Sequence, residues 1–249
     1  LSYMKLNNKD IQNYNKNGVI VLKKVFKEDE ISNLQKRIEL YIKKFQFKLK
    51  GKNINFIKNK INSIHKFRDP FFKKFSNQKK VKEIGGYLLK STCKVKHFEY
   101  FAKPALVGMA SPMHQDNHYW NLINPNALTI WIAIDSANKK NGSVDYLLKS
   151  HKKLYKHEDS FMPGSSQKLT DIKKIKKKFR MKSFNLKPGD CLIHHSQVVH
   201  GSKKNISKFN RRGFTVQLMP TSSKIDKKKF NQYQKSLSKQ IKLRNNLQN

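Results

Sequence analysis

Apolar residues at Ile31, Leu34, Ile38, Tyr41, Ile42 and Phe45 recur every three or four positions, which puts them on one face of a helix. That helix opens at Lys27-Glu28-Asp29-Glu30, where acid in the first turn sits well against the helix dipole. Ahead of it, Asn8 to Lys16 reads as a short helix closed by the turn pair Asn17-Gly18, and Val19-Ile20-Val21-Leu22 reads as a buried strand. Residues 47 to 75 are basic and give no clear assignment. Val81, Ile84, Tyr87 and Leu88 restore a helical stripe, with Gly85-Gly86 weakening it.

The pattern changes from Lys94 onward. His97 to Phe101 reads as a strand. Ala127 to Asp135 alternates, with Leu128, Ile130, Ile132 and Ile134 on one face and Thr129, Trp131 and Ala133 on the other. Val144 to Leu148, Met181 to Leu186, Asp190 to His195 and Gly213 to Met219 are further strands, separated by turns at Asn141-Gly142, Pro163-Gly164 and Pro188-Gly189. A helical front and a back of many short strands imply an α+β, mainly β fold: a double-stranded β-helix, or cupin-like jelly roll, with flanking helices. Phe230, Tyr233, Leu237 and Ile241 line one face of a terminal helix inside the polar segment from Ser223. No internal repeat or boundary shows. The expectation is a single domain over 1–249: a helical part at 1–93, a jelly-roll core at 94–220 and a polar helix or tail at 221–249.

Composition adds limits. In 249 residues, 37 % are hydrophobic, enough for a core, and no apolar run approaches the ~20 residues of a membrane span. Residues 1–10 lack the apolar stretch of a secretory signal, and two distant cysteines, Cys93 and Cys191, do not form a disulfide framework. A reducing cytoplasmic setting is the expectation. The net charge of +38 is carried almost wholly by Lys, with Arg only at Arg37, Arg68, Arg180, Arg211, Arg212 and Arg244. Nucleic-acid readers favour the forked guanidinium. Here Lys runs along the whole chain with abundant Asn and Ile, which fits a compositional bias better than a dedicated polyanion surface. Either way the field draws small anions toward the protein.

The chemistry centres on Met113-His114-Gln115-Asp116. In extended chain, residues i and i+2 share a side, so one short stretch offers an imidazole and a carboxylate to one ion. Ferrous oxygenases use two His and one carboxylate on one face of an octahedron, leaving open positions. His200, in Val198-Val199-His200-Gly201-Ser202, can return as the second imidazole, with His194 and His195 as rivals. Arg211 lies on the next strand with Gly213 and Thr215 on the same face. A guanidinium there can grip a distal carboxylate bidentately; Thr215 can add a hydroxyl, Gly213 leaves room, and Ser202 shares the side of His200.

From Lys103 to Gln217 the chain resembles the phytanoyl-CoA dioxygenase family. The matching stretches are Lys103-Pro104, His114 to Trp120, Ala127 to Asp135, Asn141-Gly142-Ser143, Leu147 to Lys152, Gly189-Asp190 through His200-Gly201-Ser202, then Asn205 and Arg211-Arg212. The opening helix, Gly-Val-Ile-Val-Leu strand and second helix extend the likeness over roughly residues 6 to 220. The resemblance implies iron(II) held by His114, Asp116 and His200. It also implies 2-oxoglutarate held through Arg211, with Ser202 and Trp131 lining it. One departure is Leu148-Lys149-Ser150-His151, where the family usually has Pro-Gly-Ser-His; this bears on the loop's shape rather than on iron.

By that resemblance the activity is hydroxylation of an unactivated carbon of a small molecule by dioxygen, with release of succinate and carbon dioxide. Asn117, His118, Tyr119 and Trp120 follow the metal motif and are candidate substrate contacts; His151, His157 and Phe161 sit on a stretch that can cover the site. The charge favours an anionic substrate only slightly. The competing readings are a jelly-roll protein that binds metal and ligand without turnover, and a basic nucleic-acid-binding protein, for which no recognition motif is present.

Overall fold

A computed structural model describes residues 6–45, 54–57 and 60–246. The chain begins with α1 (Asn8–Asn17), β1 (Val19–Leu22) and α2 (Glu28–Phe45). α1 is capped reciprocally by Asn7 and Asp10 and ends at Gly18 in the left-handed region (φ 75°), as its turn pair suggests. The segment without a clear assignment holds the hairpin β2 (Ile54–Ile57) and β3 (Lys60–Ile64), then α3 (Pro70–Ser76), which starts on an Asp69 cap followed by Pro. Residues 47–53 and 58–59 of that segment lie outside the described residues.

α4 (Lys79–Leu89) runs unbroken through Gly85-Gly86. Gly85 serves packing: a Cβ there would lie 2.7 Å from both Cys93 Sγ and Leu218 Cδ1. After it come β4 (Cys93–Lys103), β5 (Ser111–His114), α5 (Asp116–Trp120), β6 (Leu128–Ala133), β7 (Val144–Leu147), β8 (His157–Met162) and β9 (Ser165–Leu169). α6 (Ile172–Lys176), β10 (Met181–Ser183), β11 (Cys191–His195), β12 (His200–Ser202), β13 (Arg211–Pro220) and α7 (Lys227–Asn246) complete the order. The strand expected over 181–186 stops at Ser183, and the one expected over 97–101 is more than twice as long. The β8–β9 hairpin carries polar residues at most positions, so no apolar alternation announced it.

Seven strands form one antiparallel sheet in the order β1-β11-β6-β13-β4-β3-β2, and four form a second in the order β10-β7-β12-β5. This is the expected jelly roll. The outer face of the large sheet is covered by helices. Leu34 and Ile38 of α2, Phe72 and Phe75 of α3, and Val81 and Ile84 of α4 join one cluster with Ile130, Ile132, Ile193 and Phe214. Between the sheets, Trp131, Ala133, Tyr146, Leu192 and Val198 form a second cluster. The alternation in β6 is therefore real, yet both faces are buried, because one meets helices and the other meets the second sheet.

The Gly189-Asp190 turn ties β11 to the start of the chain. Gly189 takes φ 84°, and a Cβ there would lie 2.2 Å from Phe26 O. Asp190 accepts from Lys187 N at 2.8 Å, Lys24 N at 2.9 Å and Lys23 Nζ at 2.9 Å. Cys93 and Cys191 are both free. Among the described residues no helix is long and apolar enough to cross a membrane.

Candidate metal and 2-oxoglutarate site

β5 and β12 pair with His200 directly opposite His114, so their ring centroids lie 4.3 Å apart. The chain leaves β5 at Gln115 and turns into α5, which places Asp116 next to both rings. Asp116 Oδ1 is 3.8 Å from His114 Nε2 and 3.5 Å from His200 Nε2. One donor atom from each of the three lies within 4.8 Å of the others. Gln115, buried between the two candidates, donates to Lys153 O at 2.7 Å and Gln197 O at 2.5 Å and accepts from Tyr155 N, which locks the turn.

The donor set fits a ferrous ion. His114 Nδ1 donates to Pro112 O at 2.8 Å and His200 Nδ1 donates to Val198 O at 3.0 Å. Each Nε2 is then the lone-pair nitrogen, and both face the same carboxylate oxygen. Burial pushes both imidazoles down to about 4, so they stay neutral and able to ligate at neutral pH. Burial alone would raise the Asp116 carboxyl, but His200 and His194 hold it well below the usual carboxylate range.

The rivals separate clearly. His194 Nε2 reaches Asp116 Oδ2 at 3.1 Å, the oxygen turned away from the other two rings. His195 points to the opposite side of β11, its ring 5.2 Å from His151 and 6.3 Å from Tyr14. His151, expected to cover the site, is buried there too: its Nε2 meets Asn15 O at 3.1 Å, and it packs over Gly18. The divergent loop nevertheless forms a tight turn, with Lys149 in the left-handed region (φ 70°), where the family's usual Gly carries no penalty.

Arg211, at the start of β13, is 4 % exposed, and its Nε has no hydrogen-bond partner among the described residues. Its Cζ lies 5.4 Å from the centre of the Trp131 ring. Burial lowers it to about 10, still charged at neutral pH. A buried cation with an unmatched donor calls for an anion. A small pocket beside it is lined by Phe101, Lys103, Ser111, Met162 and Ser165. Lys103 pairs with Arg211 in the ladder; burial, then the neighbouring guanidinium, depress it to about 6. Gly213 is obligatory here: a Cβ would fall 2.2 Å from Trp131 Cζ2. Thr215 and Ser202 are buried, Thr215 Oγ1 donating to Glu99 O at 3.4 Å. By alternation Arg212 faces the helices and grips Asp135 with two bonds of 2.8 Å.

The residues after the metal motif divide. Tyr119 sets its ring edge against His114 at 5.5 Å, and His118 stacks on His157 at 4.2 Å while bonding Gln167 Oε1 at 3.1 Å. Tyr233 of α7 closes over both. Asn117, a candidate substrate contact, instead engages the Leu122 backbone at both ends of its amide. Trp120 packs with Leu122, Ala127 and Met219. Phe161 is exposed, with its N–H on Gln240 of α7.

The inner face of β4 was missed from sequence. A bulge opposite Gln217 and Leu218 leaves Lys96 unpaired, so Lys96 and His97 both face inward. The Lys96 ammonium lies 5.4 Å from the centre of the Trp120 ring. Glu99 accepts from Gln217 at 2.6 Å and meets His65 Nδ1 at 2.5 Å. The available signal was a carboxylate on the alternate face of a strand whose Phe98 and Tyr100 face the helices.

The chain matches the family described as Phytanoyl-CoA dioxygenase (PhyH) over residues 14–213. Phytanoyl-CoA dioxygenase 1 of Oryza sativa subsp. japonica is 26 % identical over 159 residues, 61 % of this chain and 54 % of the relative. A phytanoyl-CoA dioxygenase domain-containing protein 1 of Mus musculus is 26 % identical over 202 residues, 76 % of this chain and 67 % of the relative. The chain thus spans little more than half the length of the first of these. Among solved structures, EctD from S. alaskensis with 2-oxoglutarate and 5-hydroxyectoine superposes with TM-score 0.76 at 18 % identity, covering 89 % of this chain and 78 % of that one. The 2-oxoglutarate-dependent carbocyclase SnoK from nogalamycin biosynthesis gives 0.74 at 17 % identity, covering 88 % and 86 %. Likeness at this identity is a likeness of fold.

Proposed function

The chain belongs to the phytanoyl-CoA dioxygenase family, and from that premise we propose that it is an iron(II)- and 2-oxoglutarate-dependent oxygenase that hydroxylates a small molecule. The observation that carries this reading is the pairing of two features on either side of Tyr146, whose ring stacks on His200 and whose hydroxyl acts on the Arg211 charge. One is a His114–Asp116–His200 donor set with both Nε2 lone pairs free. The other is Arg211, buried with an unmatched donor. A dicarboxylate that ligates metal at one end and meets a guanidinium at the other satisfies both.

When bound, iron(II) with 2-oxoglutarate supplies the oxidising power of dioxygen, and succinate and carbon dioxide leave. His114, Asp116 and His200 hold the ion. Arg211 takes the distal carboxylate through its fork, so the co-substrate has one orientation. Trp131 fixes the guanidinium from one side, and Ser202 and Thr215 line the co-substrate's place. The apolar cluster between the sheets excludes water from this end.

For the substrate, His118 and Tyr119 form the wall beside the metal, with His157, Gln167 and Tyr233 behind them. Lys96 brings a cation without a hydrogen-bond acceptor among the described residues, which supports an anionic substrate group.

The test is anaerobic: add iron(II) and 2-oxoglutarate and record the visible metal-to-ligand charge-transfer band, then admit air and measure succinate. A band followed by succinate is the expected result. A band without succinate, even with candidate substrates, points to a binding protein. Neither iron binding nor band ends the reading.

A further inference from the structure

His194 is a buried imidazole, 3 % exposed, that the oxygenase reading does not use. It lies on β11 opposite Thr129 of β6, on the face that looks between the sheets. A ring in this position needs partners for both nitrogens. Nδ1 is 2.9 Å from the hydroxyl of Tyr146, and Nε2 is 3.1 Å from Asp116 Oδ2. Tyr146 is fully buried, and a phenol carries its proton at neutral pH. The phenol therefore donates to Nδ1, so the imidazole proton sits on Nε2 and is donated to Asp116. Thr129 Oγ1 donates to the same Oδ2 at 2.8 Å. Two donors thus occupy one carboxylate oxygen and leave Oδ1 toward His114 and His200. The two rings also back a second candidate ligand: His194 lies 4.5 Å and Tyr146 5.7 Å from the His200 ring, centroid to centroid.

Resting on the metal-site reading, we propose that His194 is a positioning residue: it fixes the Asp116 carboxylate so that a single oxygen faces the metal, and Tyr146 sets its tautomer. A carboxylate free to rotate could offer both oxygens and close a position that co-substrate or dioxygen needs. Held at Oδ2 by two strands, it cannot. Residues that orient ligands in this way typically change metal affinity about 10–100-fold when removed.

The experiment is an anaerobic iron(II) titration of the whole chain, with the charge-transfer band recorded after 2-oxoglutarate is added. His194→Phe keeps the ring and removes both hydrogen bonds; it should weaken iron(II) binding about 10–100-fold and shift the band. His194→Gln places an amide donor near the position of Nε2 and should restore most of the affinity, which a merely space-filling role would not require. Tyr146→Phe should cause a smaller loss and add little on top of His194→Phe, since the two act as one chain. His195→Asn, on the other side of β11, should leave affinity and band unchanged. If His194→Phe does not fold, Thr129→Val tests the same carboxylate oxygen, with a weaker affinity and shifted band again expected. Wild-type affinity and an unshifted band in His194→Phe, or in Thr129→Val where that stands in, overturn the proposal. So does a Gln variant no better than Phe. Wild-type protein that binds no iron(II) removes the metal site itself and this role with it, a result distinct from the other two.

Discussion

The two basic side chains paired at the start of β13, Arg211 and Lys103, differ in charge although both are buried. Arg211 keeps its charge despite burial, because its ordinary value is so high that a fall to about 10 leaves it protonated. Its removal should therefore be read in co-substrate binding. Arg211→Ala should raise the 2-oxoglutarate KM by about two orders of magnitude, the worth of a bidentate charged pair, with a smaller change in kcat at saturation. Steady-state succinate assays check this. Lys103, depressed to about 6 by burial and then by Arg211, is largely neutral at neutral pH. The sign for stability follows: the unfolded chain binds this proton up to its ordinary value, the folded chain only below about 6, so stability rises with pH across that window. Urea unfolding of the apo-protein between pH 7 and 10 should show this rise, and Lys103→Met should flatten it.

Strand β13 is the element on which the co-substrate end depends. Its alternate positions send Phe214, Val216 and Leu218 to the helices and Arg211, Gly213 and Thr215 to the opposite face, where Trp131 packs. Gly213 has no spare volume beside Trp131. Gly213→Ala should displace the indole and the guanidinium resting on it, cost about 1–3 kcal/mol as overpacking, and weaken 2-oxoglutarate more than iron(II). Thermal unfolding and the two titrations separate these effects. The helices were legible because their apolar stripes face one partner. β6 and β13 were legible because their alternation is strict. The β2–β3 and β8–β9 hairpins were not, since partly exposed or polar strands lack the apolar alternation that marks a buried one.

Over the whole molecule, a net charge of +38 surrounds a cavity proposed to take a dianion. Association should then be steered by the field and screened by salt, since the Debye length falls from about 30 Å at 0.01 M to about 3 Å at 1 M. The rate of charge-transfer band formation on mixing 2-oxoglutarate with the iron(II) protein should fall steeply between low and high salt. The dissociation rate should move much less. An association rate independent of salt would assign the charge to composition alone.

The front helices α1, α2 and α4, the buried strands β1, β6, β11 and β13, the jelly-roll class and the family were determined by sequence, because they depend on periodicity, turn residues and motifs that are local or keep fixed spacing. His114 and Asp116 were readable as a pair for the same reason. Choosing His200 over His194 and His195 by geometry required the fold. Only strand pairing shows that His200 lies opposite His114, that His194 turns to the far oxygen of Asp116, and that His195 leaves on the other face. The buried Tyr146 and the half-buried Glu99 and Lys96 were equally out of reach, because their neighbours come from strands far apart in the chain. A side chain's chemistry is set by what surrounds it, and those surroundings exist only once the two sheets have closed.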